Sequence, residues 1–109
     1  MKILATDMDG TFLDHLGAYD KARLDSLLDA CEAKDYVFTV ASGRALLALE
    51  ELFDGFVDRI AIIAENGALV QYKGEVLFES KLDPKDYLEI ADTTLALPTC
   101  EGILLSGRR

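Results

Sequence analysis

What most constrains this chain is an alternation: short, continuously apolar runs take turns with stretches of helical period. Ile3, Leu4 and Ala5 form the first run. From Tyr19 to Lys34 the period is helical, with Leu24, Leu27, Leu28 and Cys31 at i, i+3, i+4 and i+7. Tyr36 to Ala41, "YVFTVA", is aromatic and β-branched, which predicts a second strand. A second helical face follows at Leu46, Leu49, Leu52 and Phe53, and "RIAIIAE" predicts a third strand. Strands this continuously apolar have no face reserved for water, which is the habit of parallel sheets under helices. The expected fold class is therefore α/β: a Rossmann-like doubly wound parallel sheet made of two βαβ units with right-handed crossovers.

After Glu65 the pattern changes. "ALVQY", the pair Lys73-Gly74, and "EVLFES" predict a β-hairpin. Asp83 followed by Pro84 predicts a helix start, with Asp as N-cap and Pro in the first helical position. Tyr87, Leu88, Ala91 and Leu95 give that helix its apolar face, Pro98 closes it, and "GILLS" at 102–106 predicts a fourth core-like strand. The change near Ser80 divides the chain into a core at 1–81 and the start of a second α/β unit at 82–109.

Charge narrows the function. The 109 residues hold 20 acidic against 11 basic side chains, a formal charge of −9. A nucleic-acid partner needs stripes of Lys and Arg to meet phosphates, so that class is excluded, and a bound cation is favoured. Most of the acidic residues read as the solvated faces of helices. Cys31 and Cys100 match no metal spacing and no disulfide framework. The longest apolar run, Ile60 to Ala64, is far short of the ~18 residues of a membrane span, and "MKILA" reaches acid too soon for a secretory segment. No membrane partner is expected, and the expected location is the cytoplasm.

The chemistry gathers where strands end. In open parallel sheets, ligands bind beyond the carboxyl ends of the strands. The first strand ends in Asp7-Met8-Asp9-Gly10-Thr11, the second in Ser42-Gly43-Arg44 and the third in Glu65-Asn66-Gly67. Each end carries polar groups and a glycine beside an otherwise apolar strand. Asp7, at the strand terminus, is placed as a nucleophile, and Asp9 as a general acid and base at the same centre. Two crowded carboxylates repel, and a hard cation such as Mg²⁺ relieves that while admitting an anionic phosphate. Gly10 permits a tight turn with its amide facing the phosphate. Ser42 offers a hydroxyl and an N–H at a helix start. Plainer readings stand beside these: Ser42 as a helix N-cap, Arg44 as a surface charge on a first helical turn, Asn66 as half of an Asn-Gly turn. Glu65 reads as a strand-end charge, and His15 as a loop residue without a catalytic role. A calcium loop starting at Asp7 is excluded, because it would need Gly and Glu where Phe12 and Ala18 stand.

These residues resemble the haloacid dehalogenase-like superfamily, whose first motif is an apolar strand followed by D-x-D-G-T, here "ILATDMDGTFL". "FTVASGR" is similar to the second motif, a strand ending in Ser or Thr. "AENGA" resembles the Asn-Gly turn of Cof-type phosphatases, the branch with a class IIB α/β cap. The three matches come in order and cover roughly residues 1 to 82. The resemblance implies a Mg²⁺-dependent phosphatase acting on small phosphorylated metabolites such as sugar phosphates. It implies that Asp7 forms an aspartyl-phosphate, and that Asp9 protonates the leaving group and then activates water. Asp7 and the Asp9 backbone carbonyl would hold Mg²⁺. Gly10, Ser42 and Gly43 would seat the phosphoryl group, with Arg44 and Asn66 at the substrate entrance and Thr11 bracing the loop. The unit at 82–109 would begin the cap.

The family also has a third motif, a Lys or Arg, and a fourth, usually G-D-x-x-x-D. Lys73, Lys81 and Lys85 all fall in or near the hairpin, and no G-D-x-x-x-D occurs. The chain is thus expected to be the N-terminal part of a longer enzyme, and inactive by itself. A phosphomutase of the same fold and a non-catalytic folded remnant are the competing functions. With later strands absent, Ile3 to Asp7 would become an exposed apolar edge, and Val37, Val40 and Ile62 or their neighbours would lose their cover. Self-association, or association with the missing C-terminal portion, is expected from such an edge.

Overall fold

A computed structural model describes residues 1–81, 83–99 and 102. The chain divides into two compact units, Met1–Glu79 and Ser80–Arg109. The first holds five strands: β1 (Lys2–Asp7), β2 (Tyr36–Ala41), β3 (Ala61–Ala64), β4 (Leu69–Tyr72) and β5 (Glu75–Glu79). It also holds helices α1 (Lys21–Ala33) and α2 (Leu46–Leu52). The strands lie in the order β1-β2-β3-β4-β5. The pairs β1–β2 and β2–β3 are parallel, and β3–β4 and β4–β5 antiparallel.

This is the expected α/β class with one refinement. The hairpin does not follow the sheet; it extends it, because β4 pairs with β3. Its cause is local. Glu65, Asn66 and Gly67 all take positive φ (51°, 57° and 97°), which reverses the chain at once instead of launching another helix. At the far end, Lys73 and Gly74 (φ 50° and 82°) make the two-residue hairpin turn, whose left-handed pair matches the twist of the flanking strands.

Two successive crossovers in the same direction put both helices on one face when each is right-handed. The buried core agrees. Leu24, Leu28 and Cys31 of α1, and Leu46 and Leu49 of α2, share one cluster with Phe38, Val40, Ile62, Ala64 and Leu69. Register explains the membership: Val40 is paired with Ile62, and Ala64 with Leu69, so they project to the same side. Val40 and Ile62 are therefore fully buried, which corrects the expectation that they would be bare. The less protected face is the alternate set, with Val37 and Ile63 half-buried and Ile3 69% exposed. Among the described residues β1 pairs with β2 alone, and its Leu4, on the core face, is still 40% exposed.

Sequence places α1 well. Asp20 caps it, its carboxylate accepting the N–H groups of Ala22 and Arg23 at 3.0 and 3.2 Å, so the helix starts at Lys21 and not at Tyr19. Leu27 lies at the border of the buried stripe, 36% exposed. Tyr19 instead joins an aromatic stack between Phe12 and Phe53, with centroids 5.2 and 5.3 Å away. Its hydroxyl donates to the Leu52 carbonyl at 2.7 Å, and burial pushes the phenol above its ordinary pKa. Phe53 is fully buried there, and truncation of such a ring to alanine typically costs about 3–5 kcal/mol.

In the second unit, α3 (Pro84–Leu95) starts as expected. The Asp83 carboxylate accepts the Lys85 N–H at 2.9 Å, and Pro84 takes the first position. Of its predicted apolar face, Tyr87 and Ala91 are half-buried and Leu88 and Leu95 exposed. The predicted strand at 102–106 lies outside the described residues beyond Gly102, as does Cys100.

Candidate functional site

The first loop of the site is anchored by what stands between the two aspartates. Met8 is fully buried, and Leu13 is nearly so. The Leu13 N–H donates to the Met8 carbonyl at 2.9 Å and closes the turn Met8–Phe12. With Met8 pointing into the core, Asp7 and Asp9 on either side of it are left facing outward, both exposed. Gly10, at φ 76° and ψ 0°, supplies the left-handed step this turn requires. A weak, exposed edge strand thus presents a firmly held loop, because the hold comes from two apolar side chains and not from β1.

The other two loops are stitched to each other. The Ser42 N–H donates to the Ile63 carbonyl at 2.9 Å, the Asn66 N–H to the Ser42 carbonyl at 3.1 Å, and the Glu65 N–H to the Arg44 carbonyl at 2.9 Å. The Arg44 N–H donates to Ser42 Oγ at 3.0 Å. Gly43 permits close approach: a Cβ there would lie 2.8 Å from Asn66 Oδ1, so the Asn66 side chain would have to shift. One expectation is corrected here. Ser42 is not at a helix start, since α2 begins at Leu46 with Ala45 as its N-cap, and the Ser42 N–H is already occupied. What Ser42 can offer a ligand is its hydroxyl proton.

Asp7, Ser42, Gly43 and Asn66 line one open cleft of about 390 Å³, together with Ala41, Ile63 and Gly67. Asp9 and Arg44 are not among its walls but face each other nearby. Arg44 Nη2 donates to Asp9 Oδ1 at 2.6 Å, and Nε approaches Oδ2 at 3.4 Å. The two carboxylates of the D-x-D motif therefore have different company. Asp7 Oδ1 accepts one amide, from Met8 at 2.8 Å, whereas Asp9 faces a guanidinium with both oxygens. Sequence reasoning placed Arg44 at the entrance and missed its pairing with Asp9. The available signal was a single Arg in the loop beside two aspartates on the neighbouring parallel strand.

Of the residues weighed and set aside, His15 is exposed on its loop. Glu65 is half-buried, and its backbone, not its carboxylate, does the holding. Thr11 is exposed and borders a second open cleft, of about 640 Å³, with Phe12, Tyr19 and Leu24. Among the described residues, no three His, Cys, Asp or Glu side chains converge as a metal site, and no helix is long and apolar enough to cross a membrane. The Asp7 carboxylate and the Asp9 carbonyl are nevertheless hard oxygen donors. Mg²⁺ takes such donors one or two at a time and keeps several waters, so the residues present suit part of its shell.

Comparison with known proteins gives the family. The family model of haloacid dehalogenase-like hydrolases matches residues 4–108. A curated relative, 5-amino-6-(5-phospho-D-ribitylamino)uracil phosphatase YbjI of Escherichia coli (strain K12), is 32% identical over 103 residues, which cover 94% of this chain and 38% of the relative. The crystal structure of SMU.1108c from Streptococcus mutans UA159 superposes with a TM-score of 0.80 at 33% identity, over 90% of this chain and 37% of that one. The subclass IIB sugar phosphatase BT4131 superposes with a TM-score of 0.58 at 27% identity, over 84% of this chain and 36% of that one. The chain thus spans less than half the length of the proteins it matches. With its D-x-D-G-T loop, its strand-end serine and its Asn-Gly turn at the carboxyl ends of three parallel strands, it belongs to the haloacid dehalogenase-like hydrolases.

Proposed function

We propose that this chain carries the nucleophile half of a Mg²⁺-dependent phosphatase of the Cof type, acting on small phosphorylated metabolites such as sugar phosphates. The observation that carries this reading is the cleft in which Asp7 meets Ser42 and Asn66. Two of the similar proteins are named as phosphatases, one for a ribitylamino-uracil phosphate and one for sugars. Asp7 is suited to attack: it ends a strand, lines the cleft and is engaged by one backbone amide. Its Oδ forms a bond to phosphorus as the ester P–O bond breaks, and Asp9 delivers a proton to the departing alkoxide. In the second half, a water loses its proton to Asp9 and attacks phosphorus, the acyl-phosphate P–O bond breaks, and the Asp7 carboxylate is restored. The Ser42 hydroxyl donates to a phosphoryl oxygen, and Gly10 and Gly43 keep the approach free of side chains. Asn66 faces the remainder of the substrate, and Arg44 stands at the entrance. Mg²⁺, held by Asp7 and the Asp9 carbonyl, would offset the negative charge of phosphate and carboxylate.

The unit at 82–109 reads as the start of a cap, and residues 1–81 as the core. The charge-neutralising lysine and the later acidic pair of the family are not in this sequence, so the 109 residues alone should turn over nothing. A cytoplasmic location and a phosphorylated metabolite as partner follow from the same reading. The test is hydrolysis of an aryl phosphate by the complete protein with Mg²⁺, beside Asp7→Asn. The variant should lose roughly 10⁴-fold or more of kcat. Retained turnover in purified Asp7→Asn would remove the nucleophile, and the reading with it.

A further inference from the structure

We infer that Arg44 is an exchangeable clamp: it holds Asp9 while the cleft is empty and moves to an incoming phosphoryl anion, releasing Asp9 to act. This rests on the phosphatase reading of the cleft and adds a role for the guanidinium beside it.

Asp9 is the group that must exchange a proton with the substrate, yet both of its oxygens face Arg44, at 2.6 and 3.4 Å. Each oxygen keeps a second lone pair, but the carboxylate is turned toward Arg44 and is not among the walls of the cleft where a leaving group would sit. The pair must therefore open before Asp9 acts. It is built to open. The Asp9 side chain is 71% exposed and that of Arg44 36%, so water can replace either partner at small cost. What is fixed is the Arg44 backbone: its N–H is held by Ser42 Oγ and its carbonyl by the Glu65 N–H. A guanidinium on a pinned backbone and a long, flexible stem can change acceptors without moving the loop. The anion that draws it away would arrive next door, since Ser42 and Gly43, the two residues before Arg44, line the cleft with Asp7. A phosphoryl dianion offers the same forked acceptor geometry as a carboxylate, with more charge. The exchange also makes Asp9 available only when a phosphoryl group is present.

The experiment is a double-mutant cycle read by binding, not by turnover. Inorganic phosphate is titrated by calorimetry into the complete protein, Arg44→Ala, Asp9→Asn and the double variant, each with Mg²⁺ present. Arg44→Ala should weaken phosphate by roughly 10- to 100-fold, the range for losing a charged hydrogen bond. Asp9→Asn should tighten it by about tenfold while Arg44 is present, and much less in the Arg44→Ala background, because the gain comes from freeing the guanidinium. Arg44→Lys, which keeps the charge but not the fork, should fall between wild type and Arg44→Ala and guards against a folding defect in the alanine variant. Equal tightening by Asp9→Asn in both backgrounds would show simple repulsion and overturn the exchange. So would unchanged phosphate affinity in Arg44→Ala, while leaving the phosphatase reading intact. Wild-type protein that binds no phosphate would overturn both.

Discussion

At the carboxyl ends of the strands, Arg44 faces one carboxylate, that of Asp9, across two loops. At the amino ends, Arg59, just before β3, is held by three. Its Nη1 donates to Asp25 at 2.8 Å, Nη2 to Asp29 at 2.7 Å and Nε to Glu32 at 2.9 Å. The acceptors stand at i, i+4 and i+7 on α1, so one rigid helix face presents them together. Arg59 has every edge of its fork engaged, and this raises its pKa above the ordinary arginine value, the Glu32 hydrogen bond contributing most. Glu32 in turn is held below the usual carboxylate range, again chiefly by the Arg59 hydrogen bond. The same residue types thus do different work. On α1 they fasten a helix to the turn before a strand, and none of them borders the cleft of Asp7 and Ser42. On the opposite rim they sit on loops shaped by left-handed residues, beside a carboxylate with one amide for company.

The comparison breaks most visibly at Asp9. Asp9→Asn should lower phosphate-ester hydrolysis by roughly 10²–10⁴-fold in the complete protein, with melting temperature nearly unchanged because the side chain is exposed. A large loss of stability would place Asp9 with Arg59 as a structural group.

Gly43→Ala should be a smaller version of the same effect. The new methyl would displace the Asn66 side chain, a movable group, so stability should change by less than about 1 kcal/mol. Turnover should fall on the order of tenfold as the cleft wall shifts. Wild-type kinetics in this variant would remove Asn66 from the site.

Arg59→Ala sharpens the contrast from the other side. It should lower the melting temperature in calorimetry, less so in high salt, and leave hydrolysis at the wild-type rate. A fall in kcat comparable to that of Asp9→Asn would erase the distinction between the rims.

The smallest effect is in pH. Because Glu32 has a folded pKa below its unfolded one, it contributes stability above the ordinary value of 4.5, and that is lost as pH falls through the lower folded value. A melting curve followed downward from pH 6 should be shallower in its acid limb for Glu32→Gln. Parallel limbs would mean that the Arg59 hydrogen bond does not outlast water.

Much of this was legible from residue order alone. Strand and helix placement in the first unit follows from apolar period and β-branched content: β2 was read to the residue, and α1 within two. The D-x-D-G-T loop, Ser42-Gly43-Arg44 and Asn66-Gly67 were found because polar groups ended apolar strands. The fate of the hairpin was not legible, since its pattern fits a free ribbon as well as an added pair of strands. Nor was the less protected face. Val40 and Ile62 are as apolar as Val37 and Ile63, and only register against α1 and α2 separates them.

The sequence by itself determined which elements form and which loops carry chemistry, because period, capping and left-handed positions are properties of neighbouring residues. Tertiary structure alone decided the partnerships. Asp9 meets Arg44 across 35 positions, and Arg59 gathers acids 27 to 34 positions away. Such pairs depend on the parallel register of β1, β2 and β3, which brings distant loops to one rim and leaves no mark in the residues between them.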